Sequence, residues 1–266
     1  MSYYIRHFKD VTDHERCEAI QAKVWGEPFV VPANMTITLQ RHGGVAIGAF
    51  EPDPEGEQMI GFVVGFMSPT HHAGANRGLS HHSHIAAVLP ERQGLGIGEA
   101  LKRAQGEAVR AQGLNLITWT YDPLEAKNAR LNIGKLGCIC RTYIRNAYGD
   151  MRDALNAGLP SDRFEVEWWL DKRCVDGEWR MANDQVRFSS CDDQLWLEIP
   201  RNFQALKRAD REAALRCRLE MRERFEQAFA QGYAVTGFTL DDERGVYTLT
   251  RLARDAGSHT PPTFRG

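Results

Sequence analysis

Three glycines occupy alternate positions in Gln93-Gly94-Leu95-Gly96-Ile97-Gly98, between an apolar segment that ends at Val88 and an amphipathic one that begins at Ile97. Glycine lets a backbone turn tightly and approach a ligand with its N–H groups pointing inward. A helix that begins at such a turn adds unpaired N–H groups and a partial positive charge. The stretch therefore predicts a pyrophosphate site at the mouth of a helix.

The segments around the turn indicate a mixed α/β fold. After the turn, Leu101, Ala104 and Ala108 recur at helical spacing. We expect the charged residues of this helix to face outward, and these are Glu99, Lys102, Arg103, Glu107 and Arg110. The predicted order from residue 82 is strand, turn, helix, strand, helix and strand, at residues 82–88, 93–98, 97–112, 114–121, 126–135 and 138–143.

Upstream of the turn, the sequence predicts two helices and an antiparallel strand pair. Residues 3–8 alternate like a short strand, and residues 10–24 and 34–42 have helical spacing. Two apolar runs, at 45–50 and 59–67, are joined by a polar link that is rich in proline and glycine, as in a hairpin.

The character of the sequence changes at about residue 171. Further along, residues 210–231 predict a long helix and residues 233–240 and 245–252 a hairpin, while 254–266 predict a disordered tail.

Composition excludes several classes of protein. The formal net charge is -2, so no overall field attracts nucleic acid. No apolar run reaches the roughly 18 residues of a membrane-spanning helix, and the first residues lack a signal-peptide pattern. The six cysteines are scattered without a Cys-x-x-Cys pair. We therefore predict a cytoplasmic protein with reduced thiols and no bound nucleic acid or membrane.

Two other nucleotide motifs compete for the glycine turn. A P-loop needs Gly-Lys-Ser/Thr at its end, and Glu99 follows Gly98 instead. A dinucleotide turn matches at Gly94 and Gly96, but its third glycine falls on Glu99. Asp122, at the end of the next predicted strand, does mimic a ribose-binding acid. A nicotinamide-dependent oxidoreductase is thus a weakened alternative.

The stretch resembles the signature of the GNAT N-acetyltransferase superfamily, Gln/Arg-x-x-Gly-x-Gly/Ala between a strand that ends in Val-x-Pro and a helix. Val88-Leu89-Pro90-Glu91 matches the lead-in, and residues 128–137 resemble the family's next helix, which ends in Lys-Leu-Gly. The resemblance implies an α/β (α+β) fold, with a mixed central sheet flanked by helices and a C-terminal helix-plus-hairpin extension. It also implies an acyl-CoA-dependent N-acyltransferase with a catalytic domain at 1–170, an extension at 171–253 and the tail at 254–266.

The resemblance also assigns the co-substrate site. The strand of Ala86, Ala87 and Val88 is expected to diverge from its neighbour and pair with the pantetheine arm. The backbone of the stretch formed by Gln93, Gly94, Leu95, Gly96, Ile97 and Gly98 is expected to hold the pyrophosphate. Asn128, Asn132 and Lys135 are expected near the sulfur or the adenosine. The co-substrate is acetyl-CoA or succinyl-CoA, without a metal.

The catalytic groups are harder to assign. Many GNAT enzymes place a tyrosine acid four residues before the helix-closing glycine, where this chain has Ile133. Tyr143 and Tyr148 are candidate substitutes for this acid. Because the tyrosine is missing at 133, a non-catalytic acyl-CoA-binding protein is an alternative. His84, on the strand that faces the thioester, is a candidate base because an ordinary histidine titrates near neutrality. Further candidates are Glu165 and Glu167.

The acceptor is predicted to be a small amine, in particular an amino acid. Arginine grips carboxylates with paired hydrogen bonds, and Arg141, Arg145 and Arg163 bracket the expected acceptor side. Trp168 and Trp169 face opposite ways, so at most one lines a pocket, and Trp168 is the candidate. Residues 161–170 and 199–207 resemble a GNAT subgroup that N-acylates or N-succinylates amino acids. The extension either caps the pocket or forms a homodimer interface.

A metal site is an alternative explanation for the histidines at 71, 72, 81, 82 and 84. No cysteine or carboxylate lies within this group, and adjacent strand residues face opposite ways. We therefore expect a polar loop and strand edge, without a metal.

Overall fold

One ten-stranded sheet forms the centre of the fold. The computed structural model describes residues 2–26, 30–54, 56–149, 158–189 and 192–253. The sheet has the strand order β1-β2-β3-β4-β5-β7-β6-β12-β13-β11, and a second sheet has the order β10-β9-β8. The strands are β1 (Tyr4–His7), β2 (Val45–Asp53), β3 (Gly56–Pro69), β4 (Leu79–Val88), β5 (Leu116–Tyr121), β6 (Ile139–Ile144), β7 (Arg163–Trp169), β8 (Arg173–Val175), β9 (Glu178–Met181), β10 (Val186–Ser189), β11 (Gln194–Pro200), β12 (Tyr233–Leu240) and β13 (Arg244–Arg251).

Six α-helices are described in these ranges. They are α1 (Val11–Trp25), α2 (Ala33–Arg41), α3 (Ile97–Ala111), α4 (Ala126–Ala129), α5 (Phe203–Ala209) and α6 (Arg211–Ala230). The helix predicted at 126–135 begins as α4 and continues as a π-helical segment, Arg130–Lys135. The mixed central sheet flanked by helices confirms the predicted fold class. No helix in the described ranges is long and apolar enough to cross a membrane.

Helices cover the central sheet on both faces. Phe62 of β3 meets Trp25 of α1 edge to face, at 6.4 Å between ring centroids. The preceding residue, Gly61, faces Leu101 of α3, because a Cβ built on it lies 3.3 Å from that side chain. Successive strand residues point to opposite faces, so α1 and α3 lie on opposite faces. We call these the α1 face and the α3 face.

The C-terminal extension continues the same sheet. Val235 of β12 pairs with Cys140 of β6, and β13 and β11 add on beyond it. On the α3 face, Phe225 of α6 packs edge to face on Phe164 of β7, with 4.7 Å between centroids. The boundary predicted at residue 170 stays a prediction, and the tail predicted at 254–266 lies outside the described residues.

The sequence did not predict β8 to β11 or α5. β8, β9 and β10 are three- or four-residue strands, too short for an alternating pattern to be distinctive. Trp169, Met181 and Phe188 join in a small apolar cluster, so the second sheet covers the α1 face at the end of β7.

Candidate active site

The glycine turn leaves a row of backbone amides without protein partners. Gly94 and Gly96 have φ angles of 83° and 80°, a left-handed conformation that side chains other than Asn and Asp rarely adopt. A Cβ built on either glycine meets nothing within 4 Å, so open space surrounds the turn. Among the described residues, none accepts a hydrogen bond from the amides of Gly94 to Gly98. This arrangement fits an anion at the N-terminus of α3.

The two strands beside the turn diverge. β4 and β5 run parallel but pair only at His81 with Ile117 and His82 with Thr118. From Ser83 of β4 and Trp119 of β5 onward, no pairing joins them, and Ala86 is exposed. The divergence expected from the resemblance is therefore present. It forms a V-shaped opening whose apex lies at Ser83 and Trp119, and whose mouth lies near the glycine turn.

The predicted cofactor residues of the next helix lie beside the turn. A Cβ on Gly98 would lie 3.9 Å from the Leu131 side chain in the π-helical segment. Lys135 donates to Glu99 of α3 at 2.7 Å, so its charge is already shared. Asn128 is exposed and Asn132 is buried. π-Helical turns occur often at functional sites. The assignment of these residues to the cofactor stays a prediction.

Lys102 of α3 is buried, although the helical pattern of the sequence predicts that it faces outward. Its side chain is 6% exposed and reaches the apex of the V from the α3 face. The ammonium group donates to Ser83 Oγ at 2.6 Å and lies 3.7 Å from the centre of the Trp119 ring. Burial lowers the lysine pKa to about 7. The helical pattern failed because a lysine counts as polar, although its long stem buries easily.

His84 lies at a bulge in β4, next to the point at which β4 and β5 separate. The pairing of β4 with β3 skips it, because Val64 pairs with Ile85 and Gly65 with Ser83. Bulges re-aim side chains and are common next to active sites. His84 is exposed, and partial desolvation still lowers its pKa. This position is compatible with the predicted base, and the role stays a prediction.

The other histidines of this region face different ways. His81 points to the α3 face, where its Nε2 lies 3.2 Å from Gln105 and burial lowers its pKa to about 3. His82 lies on the α1 face, 3.3 Å from the Thr118 hydroxyl. Within the described residues, no group of three or more His, Cys, Asp or Glu side chains has the geometry of a metal site.

The α1 face beside the V-shaped opening presents carboxylates. Glu165 and Glu167 of β7 pair with Thr120 and Thr118 of β5, so their side chains share a face with His82. Both carboxylates are candidate bases by sequence. Their surroundings give them different properties.

Glu167 is locked in an ion-pair network. It is 1% exposed and accepts two hydrogen bonds from Arg141, at 2.7 and 3.0 Å, and one from Trp169 Nε1, at 2.8 Å. Burial alone would raise its pKa, but Arg141 and these hydrogen bonds outweigh burial and lower it. Glu167 is therefore held as a carboxylate and makes a poor proton acceptor.

Glu165 has a different environment. Burial and the nearby charge of Glu167 raise its pKa, while His72 acts in the opposite sense. No hydrogen bond or ion pair to Glu165 occurs among the described residues. A half-buried carboxylate with a raised pKa beside an opening is a candidate proton acceptor.

All three of the predicted acceptor arginines already lie in ion pairs with carboxylates. Arg141 is held by Glu167, and Arg145 donates twice to Glu226 of α6. The prediction that Arg141 grips a substrate carboxylate is therefore corrected. Arg163 is on the same face as Glu165, 3.9 Å from Asp122, and donates to the Asp162 carbonyl.

Trp168 also does not fit its predicted role. Its ring lies on the α3 face, 2.7 Å from a Cβ built on Gly106, and meets Trp119 edge to face. It is a core residue, so the predicted acceptor contact is corrected. The other indole, Trp169, lies on the α1 face and contacts His72 edge to face.

The two candidate tyrosines, Tyr143 and Tyr148, lie in different environments. Tyr143 donates to Asp162 at 2.8 Å and stacks on Phe225 of α6, so it lies in the core at the extension. Burial and the Asp162 charge raise its pKa, which makes it a poor acid here. Its predicted catalytic role is therefore corrected. Tyr148 is exposed and hydrogen-bonded to Thr120 at 2.8 Å, while Ile133 is buried.

Comparison with known proteins identifies the fold. No protein-family model matches the chain, and no curated protein sequence does. Solved structures do match. The NatC complex bound to a Gag peptide and CoA is similar at 14% identity with a TM-score of 0.52, over 64% of this chain and 99% of that one.

Two further matches come from Arabidopsis thaliana. NAA60 in complex with acetyl-CoA has 16% identity and a TM-score of 0.52, over 64% of this chain and 99% of that one. The same protein with a bisubstrate analogue has 15% identity and a TM-score of 0.50, over 64% of this chain and 100% of that one. The chain therefore has the GNAT N-acetyltransferase fold, and the resemblance found in the sequence is confirmed at the level of the fold.

Proposed function

We propose that this protein is an acyl-CoA-dependent N-acyltransferase that moves an acetyl or succinyl group from CoA to the amine of a small acceptor. The observation that carries the proposal is the glycine turn, with its unpartnered amides, at the mouth of the opening between β4 and β5. A pyrophosphate on the turn would direct the pantetheine arm along the free edge of β4, past Ala86, Ala87 and Val88. The fold adds support, because similar structures contain CoA or acetyl-CoA.

The acceptor amine is proposed to approach from the α1 face. Two groups flank the opening there, His84 on the β4 side and Glu165 on the β7 side. Either of them takes the proton that the amine loses as it attacks the thioester carbon. Glu165 also favours an acceptor that arrives as an ammonium ion.

An amino acid remains the proposed acceptor class. Glu165 offers a partner to the ammonium group of such an acceptor, whereas Arg163, two residues away on the same strand face, already lies 3.9 Å from Asp122. The NatC structure contains a peptide, which makes a peptide N-terminus the second acceptor to test. A cytoplasmic location and a homodimer stay predictions.

Two substitutions at one position test the turn. Asn and Asp both tolerate the left-handed backbone of Gly96 and have nearly the same size. Gly96→Asp brings a negative charge to the phosphates and Gly96→Asn does not. We expect Gly96→Asp to weaken CoA binding at least about tenfold more than Gly96→Asn at low salt, and the difference to shrink as salt is added. Isothermal titration calorimetry measures both. Equal affinities for the two variants would contradict the phosphate assignment.

Thiol release separates the alternatives. Acetyl-CoA and succinyl-CoA are each incubated with amino acids of both hands, diamines and a short peptide. Acceptor-dependent release of CoA supports the transferase. Tight CoA binding without release supports the non-catalytic alternative, which the buried Ile133 in place of a tyrosine keeps under test. Failure to bind CoA together with binding of NAD would support the oxidoreductase.

A further inference from the structure

Glu165 is a carboxylate without a partner beside the V-shaped opening. It lies on β7 between Thr120 of β5 and Thr142 of β6, which pair with it and therefore share its face of the sheet. All three side chains are partly exposed, and among the described residues no hydrogen bond or ion pair reaches the Glu165 carboxylate. The helices of this face, α1 and α2, pack on β2, β3 and β4. Glu165 thus lies on a part of the α1 face that solvent reaches.

The two arginines beside Glu165 are already paired with other carboxylates. Arg163, two residues along the strand, lies 3.9 Å from Asp122. Arg141 donates two hydrogen bonds to Glu167. Burial and the charge of Glu167 raise the pKa of Glu165, because its ionised form is poorly compensated. A ligand that brings a positive charge to Glu165 would supply the missing partner.

The position of Glu165 separates it from the amine that attacks the thioester. In the proposed function the thioester lies between β4 and β5, and the attacking amine must be neutral. Glu165 lies beyond β5 on β7, and a carboxylate keeps an ammonium group charged. Neighbouring strands are about 4.8 Å apart, so one strand spacing plus half the opening is roughly 7 Å. His84, at the bulge of β4, borders the opening itself.

We propose that Glu165 binds a second ammonium group of the acceptor, so that the enzyme prefers an amine with another positive charge four or five carbons away. A basic amino acid and a diamine both have this chemistry. Bonds of about 1.5 Å in a zigzag chain advance roughly 1.25 Å each, so five or six of them span the distance. Tyr148, exposed and hydrogen-bonded to Thr120 at 2.8 Å, adds an aromatic ring nearby, which also favours a cation. The inference rests on the proposed function, because it concerns the acceptor of the same transfer.

Matched pairs of acceptors test the preference with the full chain and acetyl-CoA. Lysine is compared with norleucine, which has the same carbon chain without the ammonium group. In the same way, 1,5-diaminopentane is compared with 1-aminopentane. We expect kcat/KM for CoA release to be at least about tenfold higher for the charged member of a pair. A preference within the first pair alone would identify a basic amino acid as the acceptor, and one within the second pair alone a diamine.

Substitutions at Glu165 connect this preference to the carboxylate. Glu165→Gln removes the charge at similar size, and the ratio of kcat/KM for lysine over norleucine is expected to fall at least about tenfold, mainly through a higher KM for lysine. Glu165→Asp keeps the charge on a shorter side chain, so it is expected to keep the preference and to favour a diamine one carbon longer. Glu198→Gln, which removes an exposed carboxylate paired with Arg244 on the same sheet, is the control and is expected to keep the wild-type ratio.

Three results would overturn the inference and leave the proposed function standing. The first is a wild-type protein that uses the neutral member of each pair as well as the charged one. The second is a Glu165→Gln variant that keeps the wild-type ratio. The third is an equal fall in kcat for all acceptors in that variant, which would mean that Glu165 takes the proton of the attacking amine. Failure of the wild-type protein to bind CoA, or to release thiol with any acceptor, would overturn the proposed function and the inference with it.

Discussion

Replacing Lys102 by methionine is expected to stabilise the protein in a pH-dependent way. Methionine has a similar length and carries no charge. Burial lowers the lysine pKa from 10.5 to about 7. Each pKa unit corresponds to about 1.4 kcal/mol, so holding the charged lysine in the fold costs about 5 kcal/mol. The variant also loses the hydrogen bonds to Ser83 and Gln105, which removes about 2 kcal/mol.

The direction of the pH dependence follows from the lowered pKa. Between about pH 7 and pH 10.5 the unfolded chain keeps the lysine proton and the folded chain has released it. Stability of the wild-type protein therefore rises with pH in this window, and the cost falls by about 2.5 kcal/mol from about pH 6 to about pH 9. The net gain of Lys102→Met is expected to be about 3 kcal/mol at about pH 6 and close to zero at about pH 9.

Urea unfolding at the two pH values measures this difference. Lys9→Met, which removes an exposed lysine, is the control for a general loss of positive charge. His81 and Cys138 stay neutral over the range, since burial lowers the pKa of one and raises that of the other. A Lys102→Met protein that is less stable than the wild type at about pH 6, or a gain that does not shrink with pH, would contradict the assigned cost of burying the lysine.

Three further substitutions test other parts of the structure. Arg218→Met removes the buried bidentate partner of Asp122. Chemical denaturation is expected to show that the free energy of unfolding falls by about 3 kcal/mol. An unchanged free energy would mean that the pair is solvated. Tyr143→Phe loses one hydrogen bond to Asp162, so the free energy of unfolding is expected to fall by about 1 kcal/mol while kcat stays unchanged. A large drop in kcat would restore the catalytic prediction for Tyr143. Glu165→Gln is expected to raise the melting temperature at about pH 8, because burial raises the pKa of the Glu165 carboxyl and penalises its ionised form. The gain is expected to vanish as the pH falls to about 4, where the carboxyl is protonated in both states.

The glycine turn and the order of elements around it were predictable because each rests on local chemistry. Positive φ angles favour glycine at 94 and 96, and the helix that follows begins at Ile97 as predicted. Two apolar runs joined by a polar link rich in proline and glycine predicted the pairing of β2 with β3, which the register confirms. Short strands such as β8 carry too few residues for such a pattern.

The partners of charged residues were not predictable, because they depend on contacts far apart in sequence. Arg141 meets Glu167 across two strands, and Arg145 meets Glu226 of α6, 81 residues away. A sequence shows that an arginine is present, but only the fold shows whether its guanidinium is already paired with a carboxylate. The predicted acceptor role of Arg141 failed for this reason.

The loss of stability caused by burying Lys102 bears on its function. A buried cation without a carboxylate partner lowers stability, and a methionine in its place would pack in similar space. Residues that destabilise a fold are concentrated at sites where chemistry requires them. If Lys102→Met is stabilised but loses acyl transfer, the lysine serves the reaction at the expense of stability. If it is stabilised and transfers acyl groups normally, the buried lysine has no part in the reaction.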